Sequence, residues 1–339
     1  MNVLVTGGLG YIGSHVVVEL LAAGHKVIVY DNLSTGVVAN AQLASTLVRA
    51  DIMEYKKLVA VMKDWHIGAV IHLAAKKAVG ESMERPEFYA HQNIVGSVAL
   101  MNAMVEAGVK KLVFSSSAVV YDVPPAAGAL ITEDVPVAPL NFYGFTKSTI
   151  ESLFPWYDRL KGIKCVSLRY FNAAGYDAEG RVKGLEKNPQ NLLPIIMEVL
   201  CGKRPGMEVF GNDYPTPDGT PVRDYIHPTD LARAHIKALE LEESATLNLG
   251  TGKGASVLEV IGAAERVAGR KVNHTIVARR PGDPAFLVAG TARAEKLLGW
   301  KAERSSLENI VSTMWNIYSL HASAPSLDFG KDLEAEDLE

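Results

Sequence analysis

Cysteine is nearly absent: Cys165 and Cys201 are the only two in 339 residues. Neither has a companion at metal-ligand spacing, so a disulfide framework and a cysteine metal site are excluded and no metal is expected. Long apolar runs are missing too. None approaches the roughly 18 residues needed to cross a bilayer, and the chain opens straight into an apolar segment with no charged leader or cleavage site. The expectation is a cytoplasmic protein with no membrane partner. Charge of one sign is also scarce, the formal net charge being −4. Residues 326–339 hold six acids and one lysine, which leaves the preceding body near +1. Neither value supplies the basic stripe that a nucleic-acid partner requires. The acidic stretch reads as a solvated or disordered tail. No internal repeat is found.

What is present is an ordinary globular composition, 48% apolar and 21% charged, in a chain long enough for one large α/β unit or two domains. Asn2-Val3-Leu4-Val5-Thr6 is a short apolar run that reads as a buried strand. Gly7, Gly10 and Gly13 follow at three-residue spacing, and residues 14–23 open a helix that stops at Gly24. Strand, glycine turn and helix make a dinucleotide cradle. The glycines admit a pyrophosphate against the backbone, and the helix N-terminus offers N–H groups and a positive dipole. The next apolar run, residues 26–30, ends in Asp31. An acid there takes both ribose hydroxyls of adenosine and repels a 2′-phosphate, which favours NAD over NADP.

The alternation continues. Residues 47–50 lead to Asp51 and Ile52, a strand end in reach of the adenine. Residues 69–75 read as a buried strand in which His72 is a satisfied core histidine and not a ligand. Lys76 and Lys77 follow, and either one of them reaches the cofactor or both sit in a solvated loop. A helix is predicted over 93–107 and a strand over 111–114, ending in Ser115-Ser116-Ser117.

Ligands of an open parallel sheet bind beyond the C-terminal ends of its strands, so Ser117 stands at the functional edge. Further along, Asn141-Phe142-Tyr143-Gly144-Phe145-Thr146-Lys147 begins a helix-compatible stretch just after Pro139. Residues four apart share a helix face, which puts Lys147 about 6 Å from Tyr143. An ammonium at that range favours the phenolate of a tyrosine whose ordinary pKa is about 10. A tyrosine so placed acts as a base near neutral pH. Alone, the Tyr-x-x-x-Lys spacing fits an amphipathic surface helix just as well. With Ser117 in the same αβ alternation it becomes a catalytic candidate in which Ser117 orients a substrate alcohol.

A strand is predicted over 166–171, after which the regularity lapses. Pro, Gly and Asn collect from 172 to 221, a looser region built for contacts. Helical stretches are predicted over 192–200, 228–241 and 257–268, with terminal helices over 293–298 and 306–319. Arg279 and Arg280, before a turn containing Asp283, either clamp phosphates or form a solvated basic turn. The fold class is therefore α/β: a doubly wound parallel sheet of Rossmann type over 1–171, then a smaller substrate-binding region over 172–325. Some segments of the second region are expected to return to the first, and 326–339 is the tail.

These residues resemble the extended short-chain dehydrogenase/reductase family, and within it the UDP-glucose 4-epimerases, from Asn2 to about Leu320. The resemblance is carried by Thr6-Gly7-Gly8-Leu9-Gly10-Tyr11-Ile12-Gly13-Ser14-His15, Asp31-Asn32-Leu33, Ala78-Val79-Gly80-Glu81-Ser82, Ser115-Ser116-Ser117-Ala118, Tyr143 with Lys147, and Leu168-Arg169-Tyr170-Phe171-Asn172. More specific to the epimerases is the pairing of Phe210-Gly211-Asn212-Asp213-Tyr214-Pro215-Thr216 with Val222-Arg223-Asp224-Tyr225-Ile226-His227. The resemblance implies a tightly bound NAD held by Gly7, Gly10, Tyr11, Ile12, Gly13, Asp31, Asn32, Asp51, Ile52, Leu73, Lys77, Tyr143, Lys147 and Phe171. Gln92 or Asn93 joins them, where the family has two adjacent asparagines. On the substrate side it implies a UDP-sugar against Ser117, Tyr143, Asn172, Asn191, Leu192, Phe210 beside the uracil, Arg223, Tyr225, Arg280 and Asp283. It also implies a homodimer paired through the helices near 93–107 and 143–160.

The activity implied is the interconversion of UDP-glucose and UDP-galactose, by C4 oxidation to a 4-keto sugar, rotation and re-reduction. Three positions depart from the family. Val119 stands where Thr or Ser is usual, Asp122 replaces a glycine, and Leu287 falls where side-chain size gates N-acetylated sugars. These leave 4-epimerisation of a UDP-N-acetylhexosamine or a UDP-uronic acid as alternatives. A non-catalytic NAD-binding sensor is the alternative from another class, and it is disfavoured because Tyr143 and Lys147 are both retained. A 4,6-dehydratase needs an acid pair after the serine, and Ala118-Val119-Val120 supplies none.

Overall fold

The computed structural model describes residues 1–43, 46–121, 128–186, 189–280 and 282–323. Asp122 and the acidic stretch 326–339 lie outside the described residues. Seven parallel strands make one sheet: β1 (Asn2–Thr6), β2 (Lys26–Asp31), β3 (Thr46–Arg49), β4 (Ala69–His72), β5 (Lys111–Ser117), β6 (Lys164–Tyr170) and β7 (Ala245–Leu249). Their order is β7-β6-β5-β4-β1-β2-β3. The chain winds outward from β1 in one direction and from β4 in the other, so the switch point lies between these two neighbours. That is where an open α/β sheet leaves a crevice beyond its strand ends.

Burial on both faces explains the composition of the strands. Val3, Leu4 and Val5 are all fully buried, and such strands read as continuous apolar runs without alternation. On one face Val3, Val5, Val27, Val29 and Leu168 pack with Val16, Val17 and Leu20 of α1 (Tyr11–Ala22). On the other, Leu4, Ile28, Leu112 and Phe114 meet Leu58 and Met62 of α2 (Tyr55–Asp64), Leu100 and Met104 of α3 (Gly96–Ala107), and Ile150 and Phe154 of α4 (Phe142–Lys161). A third cluster joins Ile196 and Met197 of α5 (Leu192–Leu200) to Val260 of α7 (Val257–Ala268) and to Val311 and Met314 of α8 (Leu307–Ser323).

Several elements differ from the sequence expectation. Helix α1 begins at Tyr11, three residues early, because the glycine turn is short. A π-helical turn, Ala90–Val95, precedes α3. Strand β5 runs on to Ser117, in register with β6 as far as Tyr170. Strand β7 and α6 (Pro228–Ala238) both return to the first sheet. β7 pairs with β6 from Ala245↔Val166 to Leu249↔Tyr170, and Leu231, Ala234 and Ala238 of α6 join the core that α1 builds. Helix α1 is thus covered on two sides, which is why it is apolar nearly all round.

Candidate active site

The cradle between β1 and α1 leaves no room for side chains. Gly7 has φ +69°, and a Cβ added there would lie 2.6 Å from the Ala74 nitrogen; one added at Gly13 would lie 2.1 Å from the Gly7 oxygen. Gly10 caps α1 without a side-chain hydrogen bond, which leaves the N–H groups of the first turn for an anion. The Leu9 and Leu33 N–H groups donate to Asp31 at 3.0 and 2.8 Å. The carboxylate thereby draws the glycine loop onto the end of β2. Burial pushes the Asp31 pKa up, and these two N–H groups and Lys76 oppose the rise. Asn32 Nδ2 donates to Asp51 Oδ2 at 2.8 Å, so this amide and this acid stand together at the ends of β2 and β3. The Ile52 side chain packs on Gly96 of α3. A tight backbone approach, a bare helix terminus and an acid at the end of β2 are the features a dinucleotide requires, and the residues fit one.

Not every expected contact is free. Lys77 Nζ is 2.7 Å from Glu186 Oε1, so its charge is engaged across the cleft. Tyr11 is half-buried, and its hydroxyl donates to the Gly175 oxygen at 2.5 Å, tying α1 to the second region. Asn93 sits in the π turn with its whole amide in use: the Lys76 N–H donates to Oδ1 at 2.8 Å, and Nδ2 donates to the Lys76 oxygen and to Thr146 Oγ1, both at 3.0 Å. Gln92 is partly exposed beside it. Leu73 follows β4, and its N–H donates to the Thr6 oxygen. Phe171 is buried with Ala118, Val120 and Tyr121, and Leu287 packs on the same cluster.

At the C-terminal end of β5, Ser117 meets the start of α4. Asn141 caps that helix by accepting from the Gly144 N–H at 2.9 Å, and the Tyr143 N–H donates to Ser82 Oγ at 3.1 Å. Gly144 is needed there because a Cβ would lie 2.4 Å from the Val119 oxygen. The Tyr143 side chain is half-buried, with its phenol on the Ser117 side of the helix start. Lys147 is 2% exposed; its Nζ donates to the Ser115 oxygen at 2.7 Å and lies 5.8 Å from the centre of the Tyr143 ring.

The expected acidification of Tyr143 is not what the protein alone produces. Burial pushes its phenol well above the ordinary range, with Ser117 pulling it back only in part. Burial likewise lowers Lys147 to about 7, opposed by the Glu151 carboxylate. Desolvation penalises both charged forms, and at this separation it outweighs their attraction.

The substrate candidates gather in the second region. Asn172 lies on a short strand paired with Tyr225–Ile226, and its N–H donates to the Asp224 oxygen. Tyr225 is buried. Asn191 caps α5 and Leu192 is its first residue. The Arg280 guanidinium lies 3.8 Å from the centre of the Phe210 ring. Arg223 forms an ion pair with Asp283 and donates to the Pro284 oxygen at 2.9 Å. Beneath them Asp224 is fully buried and accepts from the Thr251, Gly252 and Ala289 N–H groups at 2.9–3.1 Å, which fixes the strand carrying Arg223.

Sequence reasoning missed a buried chain of polar groups. Thr6 Oγ1 and His72 Nδ1 are 2.7 Å apart, His72 Nε2 and Ser97 Oγ 2.9 Å, and Ser97 donates to the Asn93 oxygen at 2.6 Å. Thr146 then donates to the Tyr143 oxygen at 2.7 Å. The end of β1 is thereby linked to the start of α4. His72 is the satisfied core histidine expected of it, lowered to about 3 by burial. The available signal is a polar residue inside each of several apolar runs.

Residues 3–250 match the NAD dependent epimerase/dehydratase family. The UDP-glucose 4-epimerase of Bacillus subtilis is 45% identical over 329 residues, covering 93% of this chain and 96% of that protein. That of Halalkalibacterium halodurans is 44% identical over 326 residues, covering 95% and 96%. Among solved structures, a UDP-glucose-4-epimerase from Stenotrophomonas maltophila with bound NAD and formylated UDP-arabinopyranose superposes with a TM-score of 0.91 at 43% identity, covering 96% of this chain and 99% of that one.

Proposed function

The chain belongs to the NAD dependent epimerase/dehydratase family, and from that premise we propose that it is an isomerase that interconverts UDP-glucose and UDP-galactose with tightly bound NAD. The observation that carries the reading is the meeting of Ser117, Tyr143 and Lys147 at the strand ends, opposite a second region able to hold a nucleotide. NAD, held by the glycine cradle and Asp31, supplies the hydride acceptor at C4 and gives the hydride back, so it is unchanged over a turnover. Ser117 holds the 4-hydroxyl. Tyr143 takes its proton and later returns it, and Lys147, paired with the cationic cofactor, is what brings the phenol into range. Phe210 with Arg280, and Arg223 with Asp283, grip the uridine diphosphate. The sugar is left free enough to present its other face to the same Tyr143.

Residues 1–171 carry the cofactor half and 172–325 the substrate half, with α6 and β7 as the returning segments. The protein works as a homodimer in the cytoplasm. Support for the dimer comes from a groove between α3 and α4 bordered by Trp156 and Leu160, which are 55% and 64% exposed. Support for the compartment comes from two unpaired cysteines. Among the described residues no helix is long and apolar enough to cross a membrane. Val119 and Leu287 border the sugar side, so UDP-N-acetylhexosamines are the next substrates to assay. The test of the reading is Tyr143→Phe: turnover falls by about 10²–10⁴-fold while bound NAD is retained. Wild-type rates in that variant would refute it.

A further inference from the structure

One helical turn beyond Lys147, α4 carries Glu151. Arg169 of β6 grips its carboxylate, with Nε 3.1 Å from each oxygen and Nη2 bonded to Oε2. The two side chains are only 7% and 8% exposed. A buried ion pair adds little net stability over an apolar pair of the same shape, and Phe114, Ile150 and Phe154 make an apolar core beside it. Packing alone gives no reason for charges here. Arg169 is also fixed from its far side, its guanidinium 4.8 Å from the centre of the Tyr121 ring, whose hydroxyl donates to Asn248 Oδ1 at 2.6 Å.

We propose that Glu151, locked in place by Arg169, is a positioning residue that keeps Lys147 a cation in the working enzyme. The inference rests on the roles given above to Tyr143 and Lys147. Lys147 is buried, and its hydrogen bond to the neutral Ser115 carbonyl offsets little of the cost of its charge. Residues four apart share a helix face, so Glu151 and Lys147 lie on the same side of α4. The other titratable groups around the site do not supply the attraction. His72, from β4, is a neutral imidazole. Tyr143 on α4, Tyr170 of β6 and Tyr89 of the short helix Pro86–Tyr89 are phenols pushed up by burial. Arg169 is a cation engaged by Glu151. Within the protein, the Glu151 charge is the one that works against the desolvation of Lys147.

The test is the pH profile of kcat for UDP-galactose conversion by the Glu151→Gln holoenzyme. A unit charge about 6 Å away, at an effective dielectric of about 20, moves a pKa by about one to two units. The alkaline limb, where Lys147 loses its proton, should therefore move down by about that much with bound NAD retained. Glu151→Asp should bring it back toward wild type. Should the Gln variant fail to fold, the double variant Glu151→Leu/Arg169→Met removes the pair without stranding a charge; a smaller movement in the same downward direction is then expected, because the repulsion from Arg169 is lost together with the attraction of Glu151. A fall in kcat with the limbs unmoved overturns the proposal and leaves Glu151 a packing residue. A wild-type protein inactive at every pH overturns instead the assignment of the reaction.

Discussion

Lys147→Met should make the NAD-free protein more stable while abolishing turnover. The lysine is buried, and its pKa falls from 10.5 to about 7 in the fold. At about 1.4 kcal/mol per pKa unit, that costs the folded state on the order of 4–5 kcal/mol when the side chain is fully charged in the unfolded chain. Methionine has a similar length and carries no charge. Against the gain stands the Ser115 carbonyl, which loses its donor, at about 1–3 kcal/mol. The expected net stabilisation at pH 7 is therefore about 1–4 kcal/mol. The sign of the pH dependence is distinctive. Between about 7 and 10.5 the unfolded lysine binds a proton that the folded one has lost, so wild-type stability rises with pH across this window. The advantage of the variant is largest at and below pH 7 and shrinks toward pH 10. Urea unfolding of both proteins at pH 6.5, 8 and 9.5 measures it. A variant less stable than wild type at pH 6.5, or a gap that does not change with pH, refutes the idea that burial sets the state of this lysine.

Two further outcomes follow from the site. Gly144→Ala places a Cβ 2.4 Å from the Val119 backbone oxygen, which has no flexible end to yield; it should destabilise the fold by about 1–3 kcal/mol and reduce kcat by displacing Tyr143, as urea unfolding and rate assays would show. Arg280→Ala removes the guanidinium over Phe210, an interaction of about 0.5–2 kcal/mol; titration calorimetry should find UDP binding weakened by roughly 2- to 30-fold, with kcat little changed.

The parts of the site written in local pattern are legible in the amino-acid sequence itself. Glycines at three-residue spacing, an acid at the next strand end, and a tyrosine and lysine one helical turn apart all follow from contiguous residues. What stays hidden depends on partners far away in the chain. Strand β7 cannot be assigned to the first sheet from local pattern, because 75 positions separate Ala245 from Tyr170, the end of its neighbour β6. The pairing of Lys77 with Glu186, and of Arg223 with Asp283, likewise needs the tertiary fold. The charge state of Tyr143 in the protein alone is hidden for a related reason. Helical spacing gives the distance to Lys147, but the desolvation that dominates both groups comes from burial in the folded protein, which the spacing does not show. Asn93 is identifiable as a position, yet the commitment of its amide to Lys76 and Thr146 emerges only in three dimensions.

The most direct measurement gives the purified protein UDP-galactose with no added cofactor and follows the appearance of UDP-glucose. The account predicts steady conversion to an equilibrium mixture, with NAD released from the protein on denaturation. Protein that carries NAD yet leaves both UDP-glucose and UDP-galactose unchanged would contradict it.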